Sequence, residues 1–448
     1  MSPTRNSVAA LAIVSVALLS TAGVAGAAHI SANAYPPPKN PTIPSTAPKG
    51  PFKTRTVCAK GCAYKTIQSA VNASKAGDTV KVKAGTYKER VVIKGKGKAF
   101  LKLIGDPKSP AKVLLEGKGS GPATLPNNGV TINGADQVTV NGFTARDYSG
   151  YGFFVVNNNG YLLTNLVAKF VGVYGIYAFN SVGGTMSNST AAWNNDSGFY
   201  IGQTPPQTKP IRSYVRNVTA YGNVLGFSGT NSKYVTITQS RWFNNGLGIV
   251  PNALDSEKYA PPDQNVITDN DVFFNNWDYF AGAPFKLRAS ATDIPYPVGT
   301  GILLFGGRNT EVSKNRVYGN YLMGVGAIQQ LLLKQADAKD LIGNRIINNV
   351  FGNDGKNLNG RDLFYDGDGS NNCISGNTGV QSTVPADAST FAPCPFTGTN
   401  AFSADAQGQA VNWTVTDPTH EAFWVKNPQT AIPGVTPLEH WTTSIGVK

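Results

Sequence analysis

Histidine and methionine are scarce in this 448-residue chain, which contains three of each. His29 lies near the N-terminus, and His420 and His440 lie near the C-terminus, so the body of the chain offers no histidine for a catalytic triad. Glycine (49) and proline (28) are abundant instead, and asparagine recurs along the middle of the chain. This composition indicates a turn-rich β protein rather than a helical one.

Long apolar stretches are missing after residue 25, so no later segment is expected to cross a bilayer. Residues 8–25 are apolar, Arg5 precedes them and small residues follow, which predicts a signal peptide over 1–28 and a secreted protein. An uncleaved membrane anchor is the alternative, but we expect no stable membrane insertion after cleavage. The proline-rich residues 29–55 are predicted to form an extended leader.

Only four cysteines are present, an even number that predicts two disulfides in an exported chain. Local pairing is the simplest of the three possible arrangements, and it joins Cys58 to Cys62 and Cys373 to Cys394. Each bond would then clamp one end of the fold. A zinc site is the alternative, but the spacings fit no standard finger.

Acidic residues are few in the N-terminal part. Residues 53–118 contain 16 Lys and Arg against 4 Asp and Glu, whereas residues 119–448 are close to neutral, with 20 against 22. Such an excess attracts polyanions, which outside the cell include acidic polysaccharides. No nucleic-acid recognition motif is present, so we expect no nucleic acid partner. A lysine-rich end that only keeps the protein soluble is the alternative.

A glycine followed by an apolar residue recurs along the chain, at first with even spacing. These marker glycines are Gly129, Gly152, Gly175, Gly198, Gly226, Gly248, Gly301 and Gly324. Three short strands separated by amide-rich turns fit within one interval, which is one turn of a parallel β-helix. The longest interval, from Gly248 to Gly301, can hold one coil with long loops, or two coils. The predicted fold is all-β: a single-stranded, right-handed parallel β-helix with an N-terminal capping helix and an irregular C-terminal tail.

The strand after each marker glycine predicts which side chains form the core. The first and third residues, such as Phe153 and Val155, should point inward, and the second should point outward. The fifth residue is often an amide, which predicts an amide ladder at one corner through Asn157, Asn180, Gln203, Asn231 and Gln329.

The stretch 64–93, YKTIQSAVNASKAGDTVKVKAGTYKERVVI, resembles the opening of pectin-lyase-like β-helix proteins. The resemblance implies a capping helix at about Ile67–Ala73 and continues through the repeats to about residue 380. After the signal peptide and the leader, we expect a β-helix over 56–395. The tail over 396–448 contains half of the tryptophans and is predicted to pack on the helix. The resemblance is specific for fold and weak for function.

The functional relatives that the pattern implies are carbohydrate-binding and sugar-hydrolysing β-helices. Alginate epimerases carry Tyr-Gly-Phe-Asp-Pro-His-Asp, whereas residues 174–180 here read YGIYAFN and lack both carboxylates and the histidine. No catalytic residue is therefore carried over. We expect a monomer that binds or acts on an extracellular, acidic polysaccharide as a lyase, hydrolase or epimerase. The alternative is a non-catalytic surface or matrix protein that binds glycan.

Insertions after the glycine-led strand predict where function lies, because long loops on a rigid scaffold often carry it. Three insertions, 203–211, 251–264 and 329–339, share one corner and should form one wall. Beside them, the outward residues Phe154, Tyr177 and Tyr200 suit the flat faces of sugar rings. The alternative is that loops or the C-terminal tail cover these rings. Asp255 and Glu257 on the second insertion complete the predicted substrate-binding set.

Acidic and basic residues elsewhere give two further predicted sites. Asp362 and Asp366 could be a glycosidase pair, or Asp366, Asp368 and Asn371 could bind calcium, although no cofactor is required. A polar turn is the plain alternative. Lys286 and Arg288, in the insertion 277–300, could abstract a proton from a uronate and neutralise its carboxylate, or belong to a surface ion pair.

Overall fold

The computed structural model describes residues 43, 46–118, 128–277, 279, 296–331 and 339–415. In these residues the chain forms 33 strands, and every pairing between named strands is parallel. The strands stack coil upon coil into three faces, which confirms the predicted right-handed parallel β-helix. Among the described residues, no helix is long and apolar enough to cross a membrane.

Face 1 and face 2 form one continuous sheet, because two long strands turn the corner between them. Face 1 contains β1 (Thr54–Val57), β2 (Thr79–Val82), β5 (Lys102–Ile104), the first halves of β8 (Val138–Arg146) and β10 (Asn159–Lys169), β12 (Val182–Ser187), β15 (Ser213–Arg216), β18 (Val235–Thr238), β21 (Val266–Thr268), β25 (Glu311–Ser313), β29 (Arg345–Ile347) and β32 (Cys373–Ser375). Face 2 contains β3 (Gly85–Tyr87), β6 (Val113–Glu116), the second halves of β8 and β10, β13 (Thr190–Ala192), β16 (Thr219–Tyr221), β19 (Arg241–Phe243), β22 (Asp271–Phe273), β26 (Arg316–Tyr318) and β30 (Val350–Phe351).

Face 3 is a separate sheet made of the glycine-led strands. It contains β4 (Val91–Lys94), β7 (Val130–Asn133), β9 (Phe153–Val156), β11 (Ile176–Phe179), β14 (Ser197–Gly202), β17 (Leu225–Ser228), β20 (Leu247–Val250), β23 (Thr300–Phe305), β27 (Met323–Ile328), β31 (Leu363–Tyr365) and β33 (Thr383–Val384). A short pair, β24 (Gly307–Arg308) and β28 (Leu341–Ile342), extends one corner. In the described part of the chain, three short 3-10 helices lie at 96–98, 110–112 and 388–390.

The register of face 3 follows the marker glycines. Phe153 pairs with Ile176, and Ile176 pairs with Phe199. Ile249 pairs directly with Ile302, so the long interval before Gly301 is one coil with long loops. Glycine is required at the markers because a Cβ on Gly152 or Gly175 would come within 2.6 Å of the next marker's carbonyl oxygen.

The interior is apolar, as the strand pattern predicts. Phe153, Ile176 and Phe199, at the first position of their strands, are at most 1% exposed, and Val155 at the third position is fully buried. Burial of such side chains contributes roughly 1.5–3 kcal/mol each. One continuous apolar cluster runs from Val57 to Phe391.

Asparagine side chains stitch the coils together where face 2 turns toward face 3. In this ladder the Nδ2 of each side chain donates to the Oδ1 of the next at 2.9–3.3 Å, through Asn194, Asn223, Asn245, Asn275, Asn320 and Asn359. These buried amides thus satisfy one another, which stabilises the stack. The ladder predicted at Asn157 is confirmed only for its step to Asn180, at 2.7 Å.

The N-terminal end is closed by the predicted helix, α1 (Ile67–Ala73). The carboxylate of Glu89 accepts the backbone N–H groups of Ile67 and Gln68 at 2.9 and 3.0 Å. At the other end of α1, Lys98 Nζ donates to the carbonyl oxygens of Val71 (2.7 Å) and nearby residues. Both helix ends therefore have partners of opposite charge.

Both predicted disulfides are confirmed, and each pairs locally. Cys58 bonds to Cys62 beside β1, and Cys373 on β32 bonds to Cys394. The first strand already begins at Thr54, so the last two residues of the predicted leader belong to the β-helix. The predicted signal peptide lies outside the described residues.

The tail is not irregular throughout, because it contains α2 (Ala404–Val415). Ala406 and Ala410 of α2 are buried in a second apolar cluster that includes Leu303 and Phe364. The side chains of Leu303 and Phe364 point outward from face 3. Helix α2 therefore covers the outer surface of face 3 at its C-terminal coils. Residues 416–448 lie outside the described residues.

Candidate functional site

The insertions predicted to share a corner do contact one another. Gln203 Oε1 accepts the backbone N–H of Lys258 at 3.0 Å, which joins the first insertion to the second. Gln330 Nε2 donates to the carbonyl oxygen of Ala253, which joins the third to the second. We call residues 203–211, 251–264 and 329–339 the loop wall. Residues 332–338 of the wall lie outside the described residues.

Amides of the corner hold the middle insertion in place. Asn231 Nδ2 donates to the carbonyl oxygens of Leu254 and Glu257 at 2.8 and 2.7 Å. The predicted amide ladder stops here because Gln203 and Asn231 bind the insertion instead of each other. Beneath it, the buried Lys233 donates from Nζ to the carbonyl oxygen of Pro261, and burial lowers the pKa of this lysine to about 7.

The outward side chains of face 3 next to the wall form a stack of aromatic rings. Phe154 and Tyr177 are stacked with ring centroids 4.7 Å apart, and Tyr200 meets Tyr177 edge to face at 4.8 Å. Tyr151 stacks on Tyr174 at 5.5 Å, and both rings contact Tyr177. We call these five residues the aromatic floor.

The floor is open at one end and covered at the other. Tyr151, Phe154 and Tyr174 are half-buried, whereas Tyr177 is 6% exposed and Tyr200 is 2% exposed. The sequence correctly predicts that these positions point outward from face 3. Tyr200 is covered by Glu257 of the loop wall, whereas Tyr177 is enclosed by the neighbouring rings of the floor. A ligand can therefore reach the first three rings directly.

Glu257 meets the covered end of the floor. The hydroxyl of Tyr200 donates a hydrogen bond to Glu257 Oε1. Glu257 Oε2 is buried and has no hydrogen-bond partner among the residues that the structure describes. Burial raises the pKa of Glu257 to about 7. Hydrogen bonds with the Tyr200 side chain and with the Gln203 backbone act in the opposite direction and lower this pKa. Burial likewise raises the pKa of Tyr200 well above its ordinary value.

A second carboxylate, that of Asp196, lies at the start of β14, the strand that contains Tyr200. Asp196 directly precedes β14, is half-buried, and accepts a hydrogen bond from the Ser197 hydroxyl at 2.9 Å. Both Asp196 and Glu257 help to raise the pKa of Tyr177, after the larger effect of burial. The floor thus lies within the field of two acids.

Four of the predicted substrate-binding residues, Phe154, Tyr177, Tyr200 and Glu257, are placed together by the structure, and their role in binding stays a prediction. Three residues of the same site were not predicted. Tyr151, Tyr174 and Asp196 were missed, although Tyr151 and Tyr174 each precede a marker glycine and are 23 positions apart. Asp255 is on the same insertion as Glu257 but is exposed.

Asp362 takes the marker position of its strand, as predicted, and is 1% exposed. Its Oδ2 accepts the backbone N–H groups of Gln381 and Ser382 at 2.6 and 3.1 Å, and its Oδ1 accepts from Asn359 Nδ2 at 3.0 Å. The carboxylate therefore holds the turn before β33. A role for Asp362 in catalysis stays a prediction.

Asp366 and Asp368 also bind backbone. Asp366 accepts N–H groups from Gln329 (2.8 Å) and Asp368 (3.0 Å), and Asp368 accepts from Leu341 at 3.1 Å. Burial raises the pKa of Asp366 to about 6 and that of Asp368 to about 7. Asn371 Oδ1 accepts the N–H of Gly398 at 2.9 Å. Within the described ranges, no group of three or more His, Cys, Asp or Glu could hold a metal ion.

The remaining predicted catalytic residues, Lys286 and Arg288, lie outside the described residues. The described ends of their insertion pack on the outside of the helix: Trp277, Tyr279 and Val298 belong to the second apolar cluster. Trp277 meets Trp193 edge to face at 5.5 Å. The insertion is therefore anchored beside the corner that leads into face 3.

The acids of the basic N-terminal part are all engaged in contacts with the protein. Asp78 is 2.6 Å from Arg55, and Glu116 is 2.8 Å from Arg146. Glu89 caps α1, and Asp106 accepts the N–H groups of Lys108 and Ser109. Many lysines between 53 and 118 are exposed, among them Lys81, Lys83, Lys94, Lys96 and Lys102. We call these five the lysine surface.

Comparison with known proteins gives one family. Residues 128–394, more than half of the chain, match the family described as the right handed beta helix region. No curated protein sequence matches the chain. The matched range contains the aromatic floor, the loop wall and Asp196.

Several solved structures are similar. The A-module of mannuronan C-5 epimerase AlgE6 from Azotobacter vinelandii has 16% identity and a TM-score of 0.45, covering 71% of this chain and 90% of that chain. An alginate lyase from Paenibacillus sp. has 14% identity and a TM-score of 0.43, covering 74% and 97%. The catalytic domain of a GH87 alpha-1,3-glucanase has 14% identity and a TM-score of 0.45, covering 80% and 70%.

Proposed function

This chain belongs to the right-handed β-helix family, and we propose that it is a secreted protein that binds and acts on a polysaccharide at the aromatic floor. The observation that carries this proposal is the Tyr200–Glu257 hydrogen bond at the covered end of a row of half-exposed rings. A carboxyl group in such a place can exchange a proton with a bound ligand near neutral pH.

The geometry of the floor fits a chain of sugar rings. Aromatic rings present flat apolar faces that suit the apolar faces of sugars. The half-buried rings of Tyr151 and Tyr174 have centroids 5.5 Å apart and belong to neighbouring coils. A polymer lying along the axis of the β-helix would therefore meet one coil after another before it reaches Glu257.

Secretion is supported by the two disulfides, because such bonds persist in oxidising compartments. We propose that the protein works outside the cell as a monomer and needs no cofactor for this site. Calcium at Asp366, Asp368 and Asn371 is the competing proposal for the C-terminal coils. A rise in the melting temperature with millimolar calcium that is absent in Asp368→Asn would support that competing proposal.

The experiment for the main proposal is a binding and turnover panel of neutral and acidic polysaccharides. We expect at least one to be bound by the wild type, and we expect Phe154→Ala with Tyr174→Ala to weaken that binding at least tenfold. Tyr214→Ala, an exposed tyrosine on face 1, is the matched control and should bind normally. Equal binding by all three proteins would refute the floor as the sugar site.

The lysine surface favours a second function, attachment to an acidic polymer. Lys81 and Lys102 lie on neighbouring strands of face 1, and Lys83 directly follows β2. Lys94 ends β4 of face 3, and Lys96 begins the 3-10 helix after it. Because residues 53–118 contain 16 Lys and Arg against 4 Asp and Glu, the field around these lysines is positive. A non-catalytic glycan-binding protein would need this surface alone.

Retention on an anionic glycan column tests the second function. Changing the five lysines of the lysine surface to Gln should release the protein at lower salt, whereas Lys314→Gln, an exposed lysine beyond β25, should not. Retention of the wild type should fall steeply as the Debye length shortens from about 10 Å at 0.1 M to about 3 Å at 1 M salt. Unchanged retention of the five-fold variant would mean that the basic end only aids solubility.

A further inference from the structure

The outward side of face 3 continues from the aromatic floor to the first coils of the β-helix. Phe154 pairs with Thr131 of β7, and Thr131 pairs with Val92 of β4, so their side chains stand in one column. Tyr177 continues this column in the other direction. Val92 is 43% exposed, and Thr131 and Phe154 are half-buried. The column is therefore accessible to a ligand from β4 as far as the floor.

A second outward column lies beside the first and begins with a lysine. The exposed Lys94 of β4 pairs with the half-buried Asn133 of β7. Val156 and Phe179, which are also half-buried, continue this column on the next two coils. Because coils are about 4.8 Å apart, the backbone of Lys94 is about 10 Å from the coil of Phe154. A polymer on the floor needs to extend by only two coils to reach this lysine.

The β4 end of these columns is positive, and the open floor contains no acid. Residues 88–98, which include β4, contain five Lys and Arg against one acid, Glu89. Residues 151–177, which include four of the five floor rings, contain no Asp or Glu. Glu257 lies beyond these rings, at the covered end beside Tyr200. An anionic group at the β4 end is therefore attracted by several cations and is distant from Glu257.

Polar side chains of β7 and its neighbourhood lie between the lysines and the rings. The hydroxyl of Thr131 accepts from Asn128 Nδ2 at 3.1 Å and still has its own hydrogen to donate. The amide of Asn133 can both donate and accept. Asn128 in turn accepts the backbone N–H of Tyr151 at 2.9 Å, which links this group to the floor. Face 3 thus presents cations, then hydrogen-bonding groups, then aromatic rings.

We infer that the aromatic floor and the β4 end of face 3 form one binding site for an anionic polysaccharide. The polymer lies along the axis, with apolar sugar faces on the rings and an anionic group, carboxylate or sulfate, at Lys94 and Lys96. This inference rests on the proposed function, because it extends the same site and gives its ligand a charge. It also separates these two lysines from Lys81 and Lys102, which lie on face 1 and do not contact that ligand.

The charge of the ligand is tested with oligosaccharides from two matched pairs of polymers: polygalacturonate with its carboxyl-reduced form, and dextran sulfate with dextran. We expect the anionic member of at least one pair to bind at least tenfold more tightly than its neutral member at 0.1 M salt. The pair that shows the difference identifies the anionic group. The difference should shrink at 1 M salt, where the Debye length is about 3 Å.

Two pairs of lysines on different faces test the position of the anionic group. Lys94→Gln with Lys96→Gln should weaken binding of the anionic oligosaccharide by about threefold or more, as expected for two exposed ion pairs. Lys81→Gln with Lys102→Gln removes the same charge from face 1 and should change this binding less than twofold. Circular dichroism and the melting temperature should show that both variants are folded.

Protection of lysines from acetylation, read by mass spectrometry, tests whether rings and lysines hold one ligand. The anionic oligosaccharide should protect Lys94 and Lys96 and leave the two lysines of face 1 reactive. Phe154→Ala with Tyr174→Ala should abolish this protection at the same ligand concentration, because the rings hold the other part of the same ligand.

The outcomes separate this inference from the proposed function. Protection of Lys94 and Lys96 that persists in Phe154→Ala with Tyr174→Ala would overturn the inference, because the lysines would then be a separate site. Equal binding of both members in both polymer pairs, or equal weakening by both lysine pairs, would also overturn it. In each case, loss of glycan binding in the floor variant keeps the proposed function. If that variant binds every glycan as the wild type does, or if no glycan binds, both proposals fail.

Discussion

Tyr200 on β14 and Glu257 on the loop wall are 57 positions apart in sequence, yet the hydroxyl of the first donates a hydrogen bond to the carboxyl of the second. The bond joins a strand of the β-helix to the insertion 251–264, which follows β20 on a later coil. Gln203 and Asn231 hold the same insertion by its backbone. The site is therefore assembled by contacts between coils.

Replacing Tyr200 by Phe should raise the pKa of Glu257 above about 7, because the hydroxyl stabilises the charged carboxylate and its loss leaves burial unopposed. The chemical shift of a 13C-labelled glutamate side chain, followed as a function of pH, measures this pKa. Tyr214→Phe on face 1 should leave it unchanged. A fall in the pKa of Glu257 in Tyr200→Phe would show that the two groups do not interact as described.

Glu257 should make the free energy of unfolding depend on pH. Its pKa is about 7 in the folded chain and near its ordinary value of 4.5 when unfolded, so the folded state binds more protons between these values. Stability should therefore be highest at the acidic end of this window and fall as pH rises to about 7, by roughly 3 kcal/mol from this group alone.

The measurement is chemical unfolding at pH 5 and pH 8 for the wild type, Glu257→Gln and Asp255→Asn. The change in stability between the two pH values should be smaller in Glu257→Gln, and Asp255→Asn should behave as the wild type. Asp366 and Asp368 contribute in the same direction and remain in all three proteins. An identical change in all three would contradict the raised pKa of Glu257.

Lys98 should differ from its neighbours Lys94 and Lys96. Its Nζ donates to carbonyl oxygens at the end of α1, so Lys98→Met should destabilise the protein by about 1 kcal/mol. Changing Lys94 and Lys96 together to Gln should leave the melting temperature unchanged, because both are exposed. Equal melting temperatures for all three proteins would show that Lys98 does not stabilise the cap.

The two disulfides should contribute unequally. Cys373 and Cys394 are 21 positions apart in sequence, whereas Cys58 and Cys62 are 4 apart. On loop-closure entropy, the longer link should stabilise by about 3 kcal/mol and the shorter one by about 2 kcal/mol. Unfolding of the two double Cys→Ser variants measures both, and a larger loss at Cys58–Cys62 would contradict this order.

Much of the fold is predictable from local pattern. The marker glycines give the register of face 3, because each lies where a Cβ would meet the next coil's carbonyl oxygen. Side chains alternate between inward and outward along the strand after each marker glycine. This alternation alone predicts that Phe153 points inward and Phe154 outward, without knowledge of the neighbouring coils. Local cysteine spacing likewise gives both disulfides.

The site is less predictable than the fold. Which side chains are covered, and which hydrogen-bond to each other, depends on segments that are distant in sequence, such as those of Tyr200 and Glu257. Nothing near Tyr200 in sequence indicates that its hydroxyl meets Glu257 on the insertion 251–264. Nothing near Lys98 in sequence indicates that its side chain reaches the end of α1, 24 to 27 positions earlier. Such contacts follow from the stacking of coils and appear only once the coils are assembled.

The most direct measurement of the central claim is a crystal structure of Glu257→Gln with the oligosaccharide that binds best in the panel. The account predicts sugar rings across Tyr151, Phe154 and Tyr174, with a glycosidic oxygen within hydrogen-bonding distance of the side chain at position 257. An oligosaccharide bound at the lysine surface or on face 1, with the aromatic floor empty, would contradict it.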